Sequence, residues 1–294
     1  MSNIQAVTPA RHGRQRWQRP SNYAFACKDA VVALVAQELP KAMVTLPIAF
    51  IAAGDSFILV ALQSFELGRN LYVAPNGQWV GGYIPAAYRG YPFVMVADSD
   101  GRQTLCVDED SGLVFDSDTG ATGEAFFAEH AEPGFAFNSK PNVSAVDMAN
   151  MPDSPSVKPG AELAKIFSFL DQVSLNRFAT VRICATLQRY ALIQPWPIKL
   201  TGSEKEQSVE GLFRIDEQRL GQLSAEELLA VRDAGALSAA YCQLLSMQHL
   251  ANLGVLANAH AEVQAQSTVA AAVPVKGKDL DLSFLEGSET LKFF

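Results

Sequence analysis

Cysteine is scarce in this chain, long apolar runs are absent, and basic residues are outnumbered by acids. Only four cysteines occur, Cys27, Cys106, Cys184 and Cys242, each alone in its stretch. With no CxxC or comparable spacing, they read as buried reduced thiols, not as zinc ligands or a disulfide framework. No window reaches the roughly 18 to 20 uninterrupted apolar residues that a membrane helix needs. The best, Met43 to Leu62, is cut by Pro47, Gly54 and Asp55, so membrane insertion is not expected. The arginines near the N-terminus precede no apolar signal-peptide core, which makes a cytoplasmic location the expectation. A formal net charge of −8 opposes attraction to nucleic acid, whose binding rests on Lys and Arg neutralising phosphates.

Familiar catalytic signatures are missing too. There is no G-x-S-x-G elbow, and Val80-Gly81-Gly82-Tyr83 fits neither the dinucleotide fingerprint nor the P-loop. Two H-x-E triplets, His130-Ala131-Glu132 and His260-Ala261-Glu262, lie in linker-like or helix-end sequence, where a metal site lacks the β-scaffold that holds such a triplet open. The run from Asp116 to Gly120 begins like an oxygen-rich calcium loop but departs from the EF-hand pattern, with Phe127 at its twelfth position. Neither catalytic residues, nor a metal site, nor a cofactor is expected.

What is present is the composition of a globular protein, with 49% apolar and 18% charged residues. The fold class expected is α+β. Lys28–Leu39 carries a helical stripe that stops at Pro40. After it come β-rich runs, at 45–53 and 56–63 around Gly54-Asp55, then 71–73, 78–83, 92–98, 102–109 and 113–115. Their spacing suggests an antiparallel meander over roughly residues 44–116. The second half turns helical: 161–192 places Leu163, Ile166, Phe167, Leu170, Val173, Phe178, Val181 and Leu187 on helical spacing. A strand pair at 196–201 and 208–216 precedes a capping box, Ser224-Ala225-Glu226-Glu227, and a helix over 236–260 with Leu237, Tyr241, Leu244, Leu245, Leu250 and Leu253 facing inward.

The organisation expected is a basic arm over 1–19, a main domain over 20–260 with an irregular insertion at 117–160, a linker over 261–279 and an apolar docking tail over 280–294. The insertion is proline-bearing, with a helical turn expected near Glu124–His130. Charge is lopsided. Residues 1–20 hold four arginines and no acid, whereas Asp98 to Glu132 holds ten acids against Arg102 alone. That polarity suits either a solvated acidic region or the steering of a charged partner.

One stretch stands apart, WVGGYIPAAYRGYPF over residues 79–93. Gly81 and Gly82 allow unusual backbone angles, Pro85 and Pro92 stiffen the ends, and the rings supply large amphipathic faces. Two readings stand. Trp79, Tyr83, Tyr88, Arg89, Tyr91 and Phe93 form a recognition surface for a peptide, protein or small-molecule ligand with Arg89 as charged anchor, or the stretch is a corner closing the sheet over the core.

The same stretch resembles the signature W-x-x-G-Y-[IV]-P-x-x-x-R-x-Y-P-F of SapC-like bacterial proteins. Arg19-Pro20-Ser21-Asn22-Tyr23-Ala24-Phe25, LPIAFI (46–51), LFRIDEQRL (212–220) and GALSAAYCQLLSMQHLANL (235–253) are similar to further blocks of that family. The resemblance covers about residues 9–256 and the tail ending. It implies a bacterial accessory or binding protein, associated with TonB-dependent receptors or flavin-dependent halogenase-like proteins, and it carries no catalytic residues over. Alternatives are a surface-layer component or assembly factor and a metal-dependent oxygenase-type enzyme.

Overall fold

The computed structural model describes residues 3–97, 102–119, 122–128, 138–139, 158–200 and 207–272. From Asn3 on, the basic N-terminal segment is built into sheets. Strand β1 (Ile4–Ala6) is followed by the one-turn helix α1 (Pro9–His12) and strand β2 (Gln15–Trp17). Trp17 is fully buried, its ring edge-on to Phe93 at 4.9 Å. Arg11 donates to Glu109 at 2.7 Å, so the basic segment meets the acidic one within the chain.

Residues 28–39 are not the helix their apolar stripe suggests. Val31–Ala33 forms strand β3, Ala36–Glu38 a 3-10 turn, and Leu39–Ala42 the short helix α2. The β-branched Val31 and Val32 suit an edge strand, and Pro40 sits in the first turn of α2, where its missing N–H costs nothing. β3 pairs antiparallel with β5 (Ser56–Leu62), which forms the expected hairpin with β4 (Ile48–Ala53). Ala53 faces Ser56 across a two-residue turn whose first residue, Gly54, takes φ +59°.

No single meander runs from 44 to 116. Leu71–Val73 and Gln78–Tyr83 contribute one isolated bridge, Val73 to Trp79, and otherwise pack as irregular chain. The five-stranded sheet is completed by β11 (Ile193–Pro195) and β14 (Leu212–Ile215), in the order β11-β14-β4-β5-β3. The next strands belong elsewhere. After the one-turn helix α3 (Ala86–Arg89), β6 (Phe93–Ala97) pairs β7 (Gln103–Asp108), and β7 also pairs β1 and β10 (Asn138–Ser139). β2 lies between β8 (Val114–Asp116) and β9 (Glu124–Ala125). In place of the helical turn expected at Glu124–His130, β9 pairs with β2 and Phe127 bridges Pro159. Phe126 and Phe127 are thereby buried; residues 129–130 lie outside the described residues.

Helix α4 (Ala161–Arg189) ties the two hydrophobic cores together. Its first half packs Leu163, Ile166, Phe167 and Leu170 into the core containing Trp17 and Phe93, and its second half packs Ile183, Cys184 and Leu187 into the core of the five-stranded sheet. Phe178 and Val181 are instead 49% and 56% exposed, because they fall between these two buried faces.

β12 (Ile198–Leu200) and β13 (Gln207–Val209) form a separate ribbon, and α5 (Glu217–Gly221) follows β14. The capping box starts α6 (Ala225–Asp233) as expected: Ser224 Oγ accepts from Glu227 N while the Glu227 carboxylate takes Ser224 N. Of the leucine stripe expected inside, Leu253 is buried and Leu237, Leu244 and Leu250 pack partly buried against the core, but in α7 (Ala236–Ser246) smaller residues take the innermost positions. Ala236, Ala239, Ala240, Cys242, Gln243 and Ser246 are buried, while Tyr241 and Leu245 are exposed. Small residues let α7 approach the sheet closely, and Gln243 bonds Ile215 N and Ile48 O between β14 and β4. Ser246 Oγ accepts from Ile48 N. Helix α8 (Leu250–Ala272) runs into the stretch read as a linker, and the tail over 280–294 lies outside the described residues. Of the cysteines, Cys106, Cys184 and Cys242 are buried as expected, but Cys27 is exposed, on the loop before β3.

Candidate functional site

The aromatic stretch lies at the seam between the two cores. Pro85 leads into α3, one turn that points Tyr88 inward and leaves Ala87 and Arg89 outside. Gly90 lets this turn press against α4, since a Cβ there would lie 2.5 Å from Leu170 Cδ2. Tyr88 joins the core of the five-stranded sheet and Phe93 the other core, so a short segment anchors in both.

Two buried polar networks hold it. Glu38, at the end of the 3-10 turn, accepts Val35 N through Oε1 at 2.8 Å, and Ala86 N and the Tyr83 hydroxyl through Oε2, each at 2.8 Å. The Tyr83 oxygen accepts in turn from Arg89 Nη2 at 3.2 Å, and the guanidinium lies 4.8 Å from the Phe169 ring centre. Burial, then the Glu38 charge, pushes the Tyr83 phenol above its ordinary range. Trp79 stacks on Tyr72 at 5.5 Å, meets Tyr88 edge-on at 5.8 Å, and donates Nε1 to Tyr83 O at 3.0 Å.

The second network centres on the Tyr88 hydroxyl, 2.8 Å from Gln63 Oε1 and 3.0 Å from Asp29 Oδ2. Asn70 fixes which way Gln63 faces. Asn70 Nδ2 donates to Ala26 O and Gln63 Oε1, while Asn70 Oδ1 accepts Tyr72 N. One phenol proton thus meets two acceptors, and the shorter contact is to Gln63. Burial raises the Asp29 pKa against the opposing effect of the Tyr88 hydrogen bond, and raises that of Tyr88 as well.

Between these networks and α4 opens a cleft of about 360 Å³. Its walls are mainly apolar, with Phe25 stacked on Tyr91 at 3.9 Å and with Phe93, Met95, Leu170 and Val173 behind. Asp29, Asp108, Ser174 and Arg177 bring the polar groups. Asp108 is committed: its Oδ1 accepts Asn3 N and Asp110 N, and Tyr91 hydrogen bonds to it, which together with burial raises the Tyr91 pKa. A shallower hollow of about 320 Å³, lined by Glu38, Lys41, Tyr83, Arg89 and Phe169, adjoins it across Ala86 and Val173. Hollows of about 420 and 470 Å³ lie along α8, where Arg69 and Glu66 line both but already pair with each other at 3.1 Å.

The six residues singled out in the sequence therefore divide. Tyr88, Tyr91 and Phe93 line the cleft, Tyr83 and Arg89 line the adjoining hollow, and Trp79 lines neither. Asp29, Asp108, Ser174 and Arg177 escaped sequence reasoning because they come from segments far apart in the chain, with no local motif. His260 lies on α8 with Nε2 3.0 Å from Leu71 O, and His130 lies outside the described residues. Among the described residues no cluster of His, Cys, Asp and Glu is arranged to hold a metal ion, and no helix is long and apolar enough to cross a membrane.

The SapC family model matches residues 7–144 and 155–253, spanning the cleft and both cores. The chain belongs to the SapC family. No curated protein and no solved structure matches it. Within this SapC protein the signature stretch coincides with α3, the start of β6 and the wall of the cleft.

Proposed function

We propose that this SapC protein is a binding or accessory protein, and that its ligand site is the cleft between the aromatic stretch and α4. The observation that carries the reading is an apolar hollow of about 360 Å³ into which polar groups converge from several elements. Its walls are held in place by buried hydrogen bonds on Glu38 and Tyr88, so the shape exists before a ligand arrives. Burial shifts the Tyr88 and Tyr91 phenols that line it away from ionisation, so at neutral pH they offer neutral hydroxyls to a ligand. The ligand is a small molecule, or the side chain of a peptide or protein partner, that matches this apolar volume. Association with TonB-dependent receptors or halogenase-like proteins rests on the family resemblance.

The test is to purify the protein from its own host, intact and as Ala87→Trp, and to compare what each retains by mass spectrometry. Ala87 is exposed on α3 and lines the cleft, so the larger ring fills the cavity without removing a core side chain. The reading expects a small molecule or partner held by the unmodified protein and lost from the variant. Retention of the same material by both would overturn it.

A further inference from the structure

The cleft brings opposite charges to one apolar cavity without letting them pair. Asp29, from the loop before β3, and Arg177, from α4, both line it, yet no salt bridge joins them. Arg177 is exposed, and its side chain makes no hydrogen bond or ion pair with another described residue. The carboxylate of Asp29 has a single partner, the Tyr88 hydroxyl, whose one proton lies nearer Gln63. Ser174, one turn before Arg177 on α4, is only 7% exposed, lines the cleft, and bonds no described residue. Its hydroxyl opens onto the cleft, where a ligand or an ordered water can bond it.

A ligand with one charge does not suit this arrangement. A lone cation would meet Arg177, and a lone anion would meet Asp29 and Asp108. An uncharged apolar molecule would leave a half-buried carboxylate with only the shared Tyr88 hydroxyl as donor, and shut away from water that is costly. We propose, building on the cleft reading above, that the cavity takes a free α-amino acid with a bulky apolar side chain. The ammonium group lies at Asp29, the carboxylate at Arg177 with Ser174 donating its hydroxyl, and the side chain against the Phe25–Tyr91 pair and Met95.

Isothermal titration of the full chain with L-phenylalanine, phenethylamine and 3-phenylpropanoate tests this, with Asp29→Asn, Arg177→Gln and Ser174→Ala variants whose folding is checked by circular dichroism. The expected result is that L-phenylalanine binds more tightly than either singly charged analogue by about tenfold or more, the size of one charge-assisted hydrogen bond. Asp29→Asn weakens L-phenylalanine and phenethylamine but not phenylpropanoate. Arg177→Gln weakens L-phenylalanine and phenylpropanoate but not phenethylamine, and Ser174→Ala follows Arg177→Gln by a smaller factor. An analogue that binds as tightly as L-phenylalanine, binding unaffected by both charge substitutions, or no binding of any probe at millimolar concentration would each overturn the proposal. The failures are separable: if no probe binds but Ala87→Trp still loses the host-derived ligand, the cleft reading stands and only the amino-acid assignment falls.

Discussion

The Tyr83 hydroxyl donates to Glu38 Oε2 at 2.8 Å, and through this bond the aromatic stretch is tied to the turn before α2. Glu38 is 5% exposed and satisfies Val35 N and Ala86 N as well. A buried carboxylate that answers three donors is a fastening for two loops, and removing it strands all three.

The first prediction follows from that count. Glu38→Ala leaves two backbone N–H groups and a phenol without their acceptor, at about 1–3 kcal/mol for each group that water does not reach. With the two backbone groups buried and the phenol partly open, the expected loss is about 2–6 kcal/mol, read as a lower urea midpoint. Tyr83→Phe removes one donor and leaves the other two satisfied, so it costs about 1 kcal/mol. Equal losses from the two variants would mean that Glu38 does not hold the backbone of α3.

A second prediction concerns Asp29. Burial raises its pKa in the folded state, so between the unfolded and folded pKa values the folded protein binds more protons than the unfolded chain. Stability then falls as pH rises through that window, and the carboxylate opposes folding at neutral pH. Asp29→Asn should stabilise the protein more at pH 7 than at about pH 4, as measured by urea unfolding at both. A group that lowers stability in the free protein is the pattern expected where a site is built for a ligand, not for the fold. An unchanged difference between the two pH values would show that Asp29 is not desolvated.

His12 gives the opposite pH dependence. It is fully buried, its ring tilted against Phe126 at 4.9 Å, and its Nδ1 accepts Thr8 N at 3.2 Å. Desolvation lowers its pKa, outweighing the pull of Glu109, whose Oε1 lies 3.3 Å from Nε2 but off the line of a hydrogen bond. The folded state binds fewer protons than the unfolded chain below the ordinary imidazole pKa, so stability is lost as pH falls through about 6.5 toward the depressed value. Unfolding midpoints at about pH 7.5 and about pH 5.5 should diverge for the unmodified protein and converge for His12→Phe. Parallel behaviour of the two proteins would exclude His12 as the source.

Local chemistry made part of this fold legible. Gly54-Asp55 marked a two-residue hairpin turn, and Ser224 to Glu227 marked a helix start, because each feature is complete within a few residues. Pairings between distant segments were not legible. β14 joins β4 across most of the chain, and nothing in LFRID names IAFI as its partner. Residues 28–39 misled because a stripe of valines and leucines fits a helix face and an edge strand followed by a turn equally well. The aromatic stretch was legible as special, but its role divides between core and cleft, since Tyr88 and Phe93 are anchors whose exposed neighbours line the walls. Asp29 and Arg177 had no signal, for their meeting exists only after α4 has crossed the seam.

The contact of Gly90 with Leu170 sets the width of that seam. A methyl group at residue 90 would lie 2.5 Å from Leu170 Cδ2 and 3.2 Å from its Cγ, so α3 and α4 must separate or Leu170 must leave its rotamer. Gly90→Ala should cost about 1–3 kcal/mol by overpacking. Leu170→Ala alone, opening space in the core, should cost about 2–5 kcal/mol. Together the two should cost less than their sum by about 1 kcal/mol or more, because the added methyl occupies space the leucine has vacated. A strictly additive double mutant would show that the backbone of α3 gives way freely, and the walls of the cleft would then be set by something other than this contact.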